Sequence, residues 1–316
     1  MSEIDSRLAQ IFMPQYLQRT EEIQGSKKKL VHYTSASTAL SILKNKEIWM
    51  RNTRCMNDFL EVRYGISFFA QFCQKPEYRK LKEVFGKQGE AFSTAMALAI
   101  EDFDKWTNTT YICCFSEHEK DEDQLGRLSM WRGYGTDSGI AMVLKSDSFV
   151  DMNGDFQVFT APVEYLDKAH FNIKMNEFIE RVDAERKFLE DLPKSVILGW
   201  VTNMIKREVV SIKHPGFKEE KEWRVIADYE TCKGLRQDTI AVNGIPQLVM
   251  KLPLTDEKVN SKKGFSISAN LDHVIIGPTP YPAVVGKALA IELENCKVDE
   301  PWTKIKFSDI PYRARV

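Results

Sequence analysis

Residues 107–116, TNTTYICCFS, are dense in β-branched and apolar side chains and contain neither proline nor glycine. Such side chains pack best on a pleated backbone, so this run predicts a central strand. Whatever else the chain does, it has to build a sheet around that strand.

The neighbouring sequence supplies the rest of the sheet. Residues 139–145 (GIAMVLK), 156–165, 248–254, 271–277 (LDHVIIG) and 302–307 read as further strands. Residues 219–229 (EEKEWRVIADY) alternate, with Trp223, Val225 and Ala227 opposing Glu222, Arg224, Ile226 and Asp228. Helical spacing predicts helices over 5–19 (kinked at Pro14), 58–74, 91–106 and 281–293, and over 168–213 broken at Pro193. Strands separated by helices, with several strands in succession near the end, give an α+β class. The predicted layout is an N-terminal helical arm over residues 1–25, then a single α+β domain over 26–316. That domain carries helical insertions near 57–106 and 168–213.

Composition narrows the function classes. A net charge of −1 over 316 residues excludes a strong global attraction to nucleic acid or anionic lipid, leaving only local patches. The six cysteines form no CxxC pair, which points to free thiols in a reducing compartment. No signal-peptide core or long uncharged apolar segment is present, so a cytoplasmic protein without membrane spans is expected. P-loop, GxGxxG, GxSxG and HExxH patterns are missing. The five histidines lack metal-ligand spacing, so no metal site is expected.

Polar side chains gather at turn positions in residues 30–61. A short apolar pair, Leu30-Val31, runs into His32-Tyr33-Thr34; Ser35 or Ser37 then caps a helix, and residues 47–51 return as a strand bearing Arg51. Asn57 and Asp58 open another helix with Glu61 near its start, where the helix dipole accepts carboxylates whether or not they do chemistry. His32 either binds a substrate hydroxyl or ties down its own turn. Trp131 and Tyr134 share a helix face, and either wall a cleft for a planar ring or anchor the core. Glu220, Glu222 and Arg224 share a strand face, as a structural ion pair or as a catalytic anion with its partner. The acidic residues between Glu117 and Asp123 read as a solvated loop.

Taken in order, His32-Tyr33-Thr34-Ser35, Asn57-Asp58 with Glu61, Cys114-Phe115-Ser116-Glu117, Met130-Trp131 with Tyr134, and Glu222-Trp223-Arg224 form a series. With Ile275-Ile276-Gly277-Pro278 and the run 308–313, this series resembles the bacterial domain-of-unknown-function family 2971. Phe59 departs from it, standing where the family has proline.

More distantly, a strand ending in His-x-Thr followed by a helix and a return strand resembles the opening of the NAD-dependent ADP-ribosyltransferases. That resemblance implies a split mixed or antiparallel sheet with helical insertions around an NAD cleft. It also implies NAD as substrate, with a nucleic-acid or protein acceptor, and a toxin-like or phage-defence effector. Glu222 and His32 would be catalytic, and Tyr33, Thr34, Phe115, Ser116, Trp131 and Tyr134 would hold the cofactor. Arg51 or Arg224 would grip the pyrophosphate. Asn57, Asp58, Glu61 and Glu220 complete the candidate cleft. The competing readings are a non-catalytic nucleotide- or nucleic-acid-binding module, or a nuclease using Asp58, Glu61 and Glu222 with a divalent ion.

Overall fold

The predicted central strand runs as Thr110–His118, and a ten-stranded sheet is built on both sides of it. A computed structural model of the chain describes residues 2–26, 28–56, 60–135, 138–146, 158–232, 234–242, 244–255 and 265–312. Among these, the strands are β1 (Lys29–Ser35), β2 (Glu47–Asn52), β3 (Thr110–His118), β4 (Gly139–Lys145), β5 (Phe159–Pro162) and β6 (Glu164–Tyr165). They continue as β7 (Ile212–Lys213), β8 (Glu222–Asp228), β9 (Arg236–Val242), β10 (Ile245–Pro253), β11 (Leu271–Ile276) and β12 (Ile305–Phe307).

The chain divides into two compact units. The sheet unit comprises Glu22–Asn52, Thr110–Thr160 and Glu219–Val316. Its strand order is β12-β11-β4-β1-β3-β2-β10-β9, with β8 also on β3 and β5 on β8. Within this sheet, among the described residues, β11 and β12 pair in parallel and the other registers are antiparallel. The class is therefore α+β with a largely antiparallel sheet.

Both faces of this sheet are covered, by different material. On one face Leu30, Met50, Phe115, Met142, Trp223 and Val225 pack under helices Ala36–Asn45 and Pro282–Asn295. Ser35 caps the first of these helices, accepting from the Thr38 N–H at 3.1 Å. Each such apolar side chain contributes roughly 1.5–3 kcal/mol when fully buried. On the opposite face Val31, Tyr33, Ala141, Val143 and Ile275 meet Met130 and Trp131 of helix Leu128–Tyr134.

The helical unit comprises Met1–Glu21, Thr53–Thr109 and Ala161–Lys218. Both predicted helical insertions and most of the predicted arm fall within it. Its core is aromatic. Phe85 stacks on Phe92 at 4.8 Å and on Phe12 at 6.4 Å, while Phe12 also meets Phe178 and Trp200. Helices Glu61–Phe72 and Lys194–Val209 cross closely at Gly65, where a Cβ would stand 2.4 Å from the Val209 carbonyl oxygen.

Several boundaries differ from expectation. Pro76 opens a helix (Pro76–Val84) as well as closing the previous stretch, as suits a residue whose missing N–H costs nothing in a first turn. Thr107–Thr109 finish helix Phe103–Thr109 before the central strand starts. No described helix is long and apolar enough to cross a membrane.

Candidate functional site

β3 holds two different neighbours along the same edge. Ser116, Glu117 and His118 pair with β1, whereas Tyr111 and Ile112 pair with β2. Cys113, Cys114 and Phe115 lie between these ladders, where β1 turns aside to follow β4 for all seven of its residues. The sheet is split at that point.

His32 stands at the split. Its Nδ1–H donates to the Cys114 carbonyl at 2.9 Å, and its ring meets Phe115 at 5.4 Å. A carbonyl only accepts, so this bond fixes the proton on Nδ1 and leaves Nε2 as an acceptor. Burial lowers the imidazole pKa, favouring the neutral ring. The imidazole thus replaces a rung of the missing ladder.

Strand alternation separates His32 from the predicted acid. Leu30 lies in the helix-covered core and Val31 and Tyr33 in the opposite cluster, which sets His32 on the helix-covered side. Trp223, Val225 and Ala227 occupy that same core, so Glu222 and Arg224 project from the other face. The expectation that His32 and Glu222 share one cleft is overturned.

A different group does assemble on the second face. Ser116 is in register with both Val31 and Glu222, and Cys114 with Arg224. The Arg224 guanidinium donates to both Glu222 oxygens, at 2.8 and 3.1 Å, with the two residues only 1% and 5% exposed. The Cys114 thiol also bonds to this carboxylate; burial first, then the Glu222 charge, push its pKa well up. Tyr33 lies on this face, and its hydroxyl accepts from the Arg127 N–H at 2.9 Å. Burial first, then the charge of Glu122, raise the pKa of that hydroxyl.

Trp131 is not a ligand wall. Its N–H donates to the Leu125 carbonyl at 2.9 Å and its ring meets Tyr33 edge-on at 4.9 Å. A Cβ at Gly126, Gly139 or Gly277 would stand 2.4, 2.8 or 2.8 Å from the indole, so three glycines enclose it. Phe115 is likewise core, and as neighbours in a strand Phe115 and Ser116 cannot line one pocket. Tyr134 packs against the Tyr33–Trp131 cluster from a half-buried position.

The remaining candidates are dispersed. Thr34 is half-buried opposite Ile140 on β4. Arg51 donates to the Gln247 side chain at 3.2 Å between β2 and β10. Glu61 belongs to the helical unit and forms a buried ion pair with Lys213 at 2.8 Å. Asn57 and Asp58 lie outside the described residues.

The loop after β3 is not the solvated acidic stretch expected. Glu117 is buried, and Glu122 grips Arg127 at 2.7 and 2.9 Å. The same guanidinium donates to the Glu117, Glu219 and Glu220 carbonyls at 2.9, 2.8 and 3.0 Å. Glu220 thus enters through its main chain.

This loop also brings together residues that spacing could not connect. His118 ends β3 and His273 lies in β11, with β1 and β4 between them, yet their ring centroids come within 5.7 Å. The His118 Nε2 is 2.9 Å from Asp123 Oδ1, and the His273 Nε2 is 3.8 Å from the same oxygen. His273 Nδ1 bonds to Asp272 at 2.6 Å, and Lys29 reaches Asp272 at 2.8 Å and Asp123 at 3.5 Å. Burial lowers both imidazole pKa values against the pull of these carboxylates. Burial alone would raise the Asp272 carboxyl, but the Lys29 and His273 hydrogen bonds bring it down to about 2.

Comparison with curated proteins gives no match, and comparison with solved structures gives none either. Residues 130–225, from the Trp131 helix to the Glu222–Arg224 strand, match the profile of a family described as "Protein of unknown function (DUF2971)". Over this segment the chain is similar to that family.

Proposed function

We propose that the protein is an NAD-dependent ADP-ribosyltransferase acting on nucleic acid or protein, with its reaction on the Tyr33–Ser116–Glu222 side of the split sheet. The observation that carries this reading is the parting of β1 and β2 along β3 immediately beside the Glu222–Arg224 pair. A carboxamide offers one donor edge and one acceptor edge, which suits main chain at a place where a ladder is interrupted.

In the reaction the C1′–N bond to nicotinamide breaks and the acceptor's nucleophile bonds to C1′, giving up its proton. Nicotinamide departs with the bonding electrons. Positive charge builds on the ribose as it does in glycoside cleavage. A fixed anion at Glu222, held by Arg224, acts on that charge more strongly in a water-poor setting than it would in solvent. Ser116, directly across from Glu222, supplies a hydroxyl to the same spot. His32 becomes a positioning residue that holds the edges of the split through Cys114.

Incubation with labelled NAD, together with total nucleic acid or cell lysate, is expected to transfer label to an acceptor. Glu222→Gln should reduce transfer by about 10²–10³-fold, the effect typical of losing one electrostatic stabiliser, with an unchanged circular dichroism spectrum. Absence of transfer by the parent protein, or an undiminished rate in a folded variant, overturns the reading. Metal-dependent strand cleavage without NAD would replace it with a nuclease.

A further inference from the structure

We infer that His118, Asp123 and His273 form a binding site for a divalent cation of the zinc type, a site that the proposed NAD chemistry neither needs nor uses. One ligand atom from each residue lies within 4.8 Å of the other two. A tetrahedral ion with donors at about 2.1 Å sets those donors about 3.4 Å apart. The 2.9 Å separation of Asp123 from His118 and the 3.8 Å separation from His273 bracket that spacing.

A second observation points the same way. His273 is 3% exposed, its Nδ1 is taken by Asp272, and its Nε2 is buried without a hydrogen-bond partner while facing Asp123. A carboxylate on the outer nitrogen of an imidazole, with the inner nitrogen left for a cation, is how histidine ligands are oriented in metal sites. The two imidazoles also converge from strands that are not neighbours, so sheet pairing alone does not account for their meeting.

The charges around the cluster set its affinity. Glu122 stands 3.8 Å from His118 Nδ1 but is committed to Arg127. Lys29 neutralises Asp272 and Asp123 in the cation-free arrangement, and Lys306 adds a second positive charge acting on Asp123 and His273. An incoming ion therefore displaces Lys29 from Asp123 while leaving it on Asp272. Two imidazoles and one carboxylate leave the fourth tetrahedral position to water.

The test is calorimetric titration of the chelator-treated full chain with Zn²⁺, with Co²⁺ absorption as a readout of geometry. One equivalent should bind, and Co²⁺ should give the intense visible bands of a tetrahedral site. Asp123→Asn, at a partly exposed position, should weaken binding at least tenfold, and Asp272→Asn by about 10–100-fold as an orienting partner. Lys29→Met should tighten it. No binding at millimolar Zn²⁺, or binding indifferent to Asp123→Asn and His273→Gln in folded protein, overturns the site.

Discussion

The two units solve the burial problem in opposite ways. The helical unit fills its core with rings on rings: Phe68 and Phe69 both meet Phe171 at 5.1 Å, and Phe85 contacts Phe12, Phe92 and Phe178. The sheet unit has an apolar core on one face, while its other face buries His118, Glu222, Arg224 and His273. Apolar burial is non-directional and spreads its energy over many contacts. Buried charge is directional and costly, so it persists only where each group finds a specific partner. The groups held by specific partners lie on the polar face of the sheet.

That contrast can be broken most forcefully at Arg224. Arg224→Ala strands the Glu222 carboxylate in a buried position and is expected to cost about 3–5 kcal/mol in urea unfolding. A double Glu222→Leu, Arg224→Met variant should recover most of that loss. If Arg224→Ala were neutral, the polar face would not be the constrained one. In the helical unit, Phe85→Leu keeps an apolar side chain among adaptable rings and should cost only about 1–2 kcal/mol, measured the same way. A loss as large as that of Arg224→Ala would erase the distinction.

The smallest effect sharpens the contrast by pH. Burial would raise the Glu47 carboxyl, but Lys251 at 2.9 Å and Arg236 at 2.6 Å hold it below its ordinary value. A carboxyl lowered in the folded state contributes stability that is complete above its unfolded pKa and is lost as pH falls through the folded one. Between about pH 5 and pH 3 the melting temperature of the parent should therefore fall more steeply than that of Glu47→Gln. The difference corresponds to about 1 kcal/mol after solvent screening. Parallel curves would show that this network adds nothing.

Local pattern carried much of the fold. The strand and helix of residues 30–45 and the alternation of Glu222–Asp228 lie where periodicity put them, because each is set by its own side chains meeting one core. β9 (Arg236–Val242) is mostly exposed, so no apolar rhythm marks it in the sequence, although Asn243-Gly244 before β10 is a hairpin signal. The site was far less legible. Glu222 stands out by residue type and Ser116 only through the resemblance, and the face each occupies depends on register across three strands, which no single stretch of sequence encodes. The meeting of His118 and His273 depends on loop 119–127 and two intervening strands, and spacing holds no trace of it.

The indole held by Gly126, Gly139 and Gly277 has a consequence for how the sheet assembles. Those glycines come from a loop, from the start of β4 and from just beyond β11, and the Gly277 N–H donates to the Gly139 carbonyl at 2.8 Å. Sliding β11 along β4 by two residues would bring a branched side chain against the ring where only hydrogen fits. Trp131 therefore works as a locating pin: the strands can be stitched together in one alignment, and alignments displaced from it are rejected by collision before any pairing energy is compared.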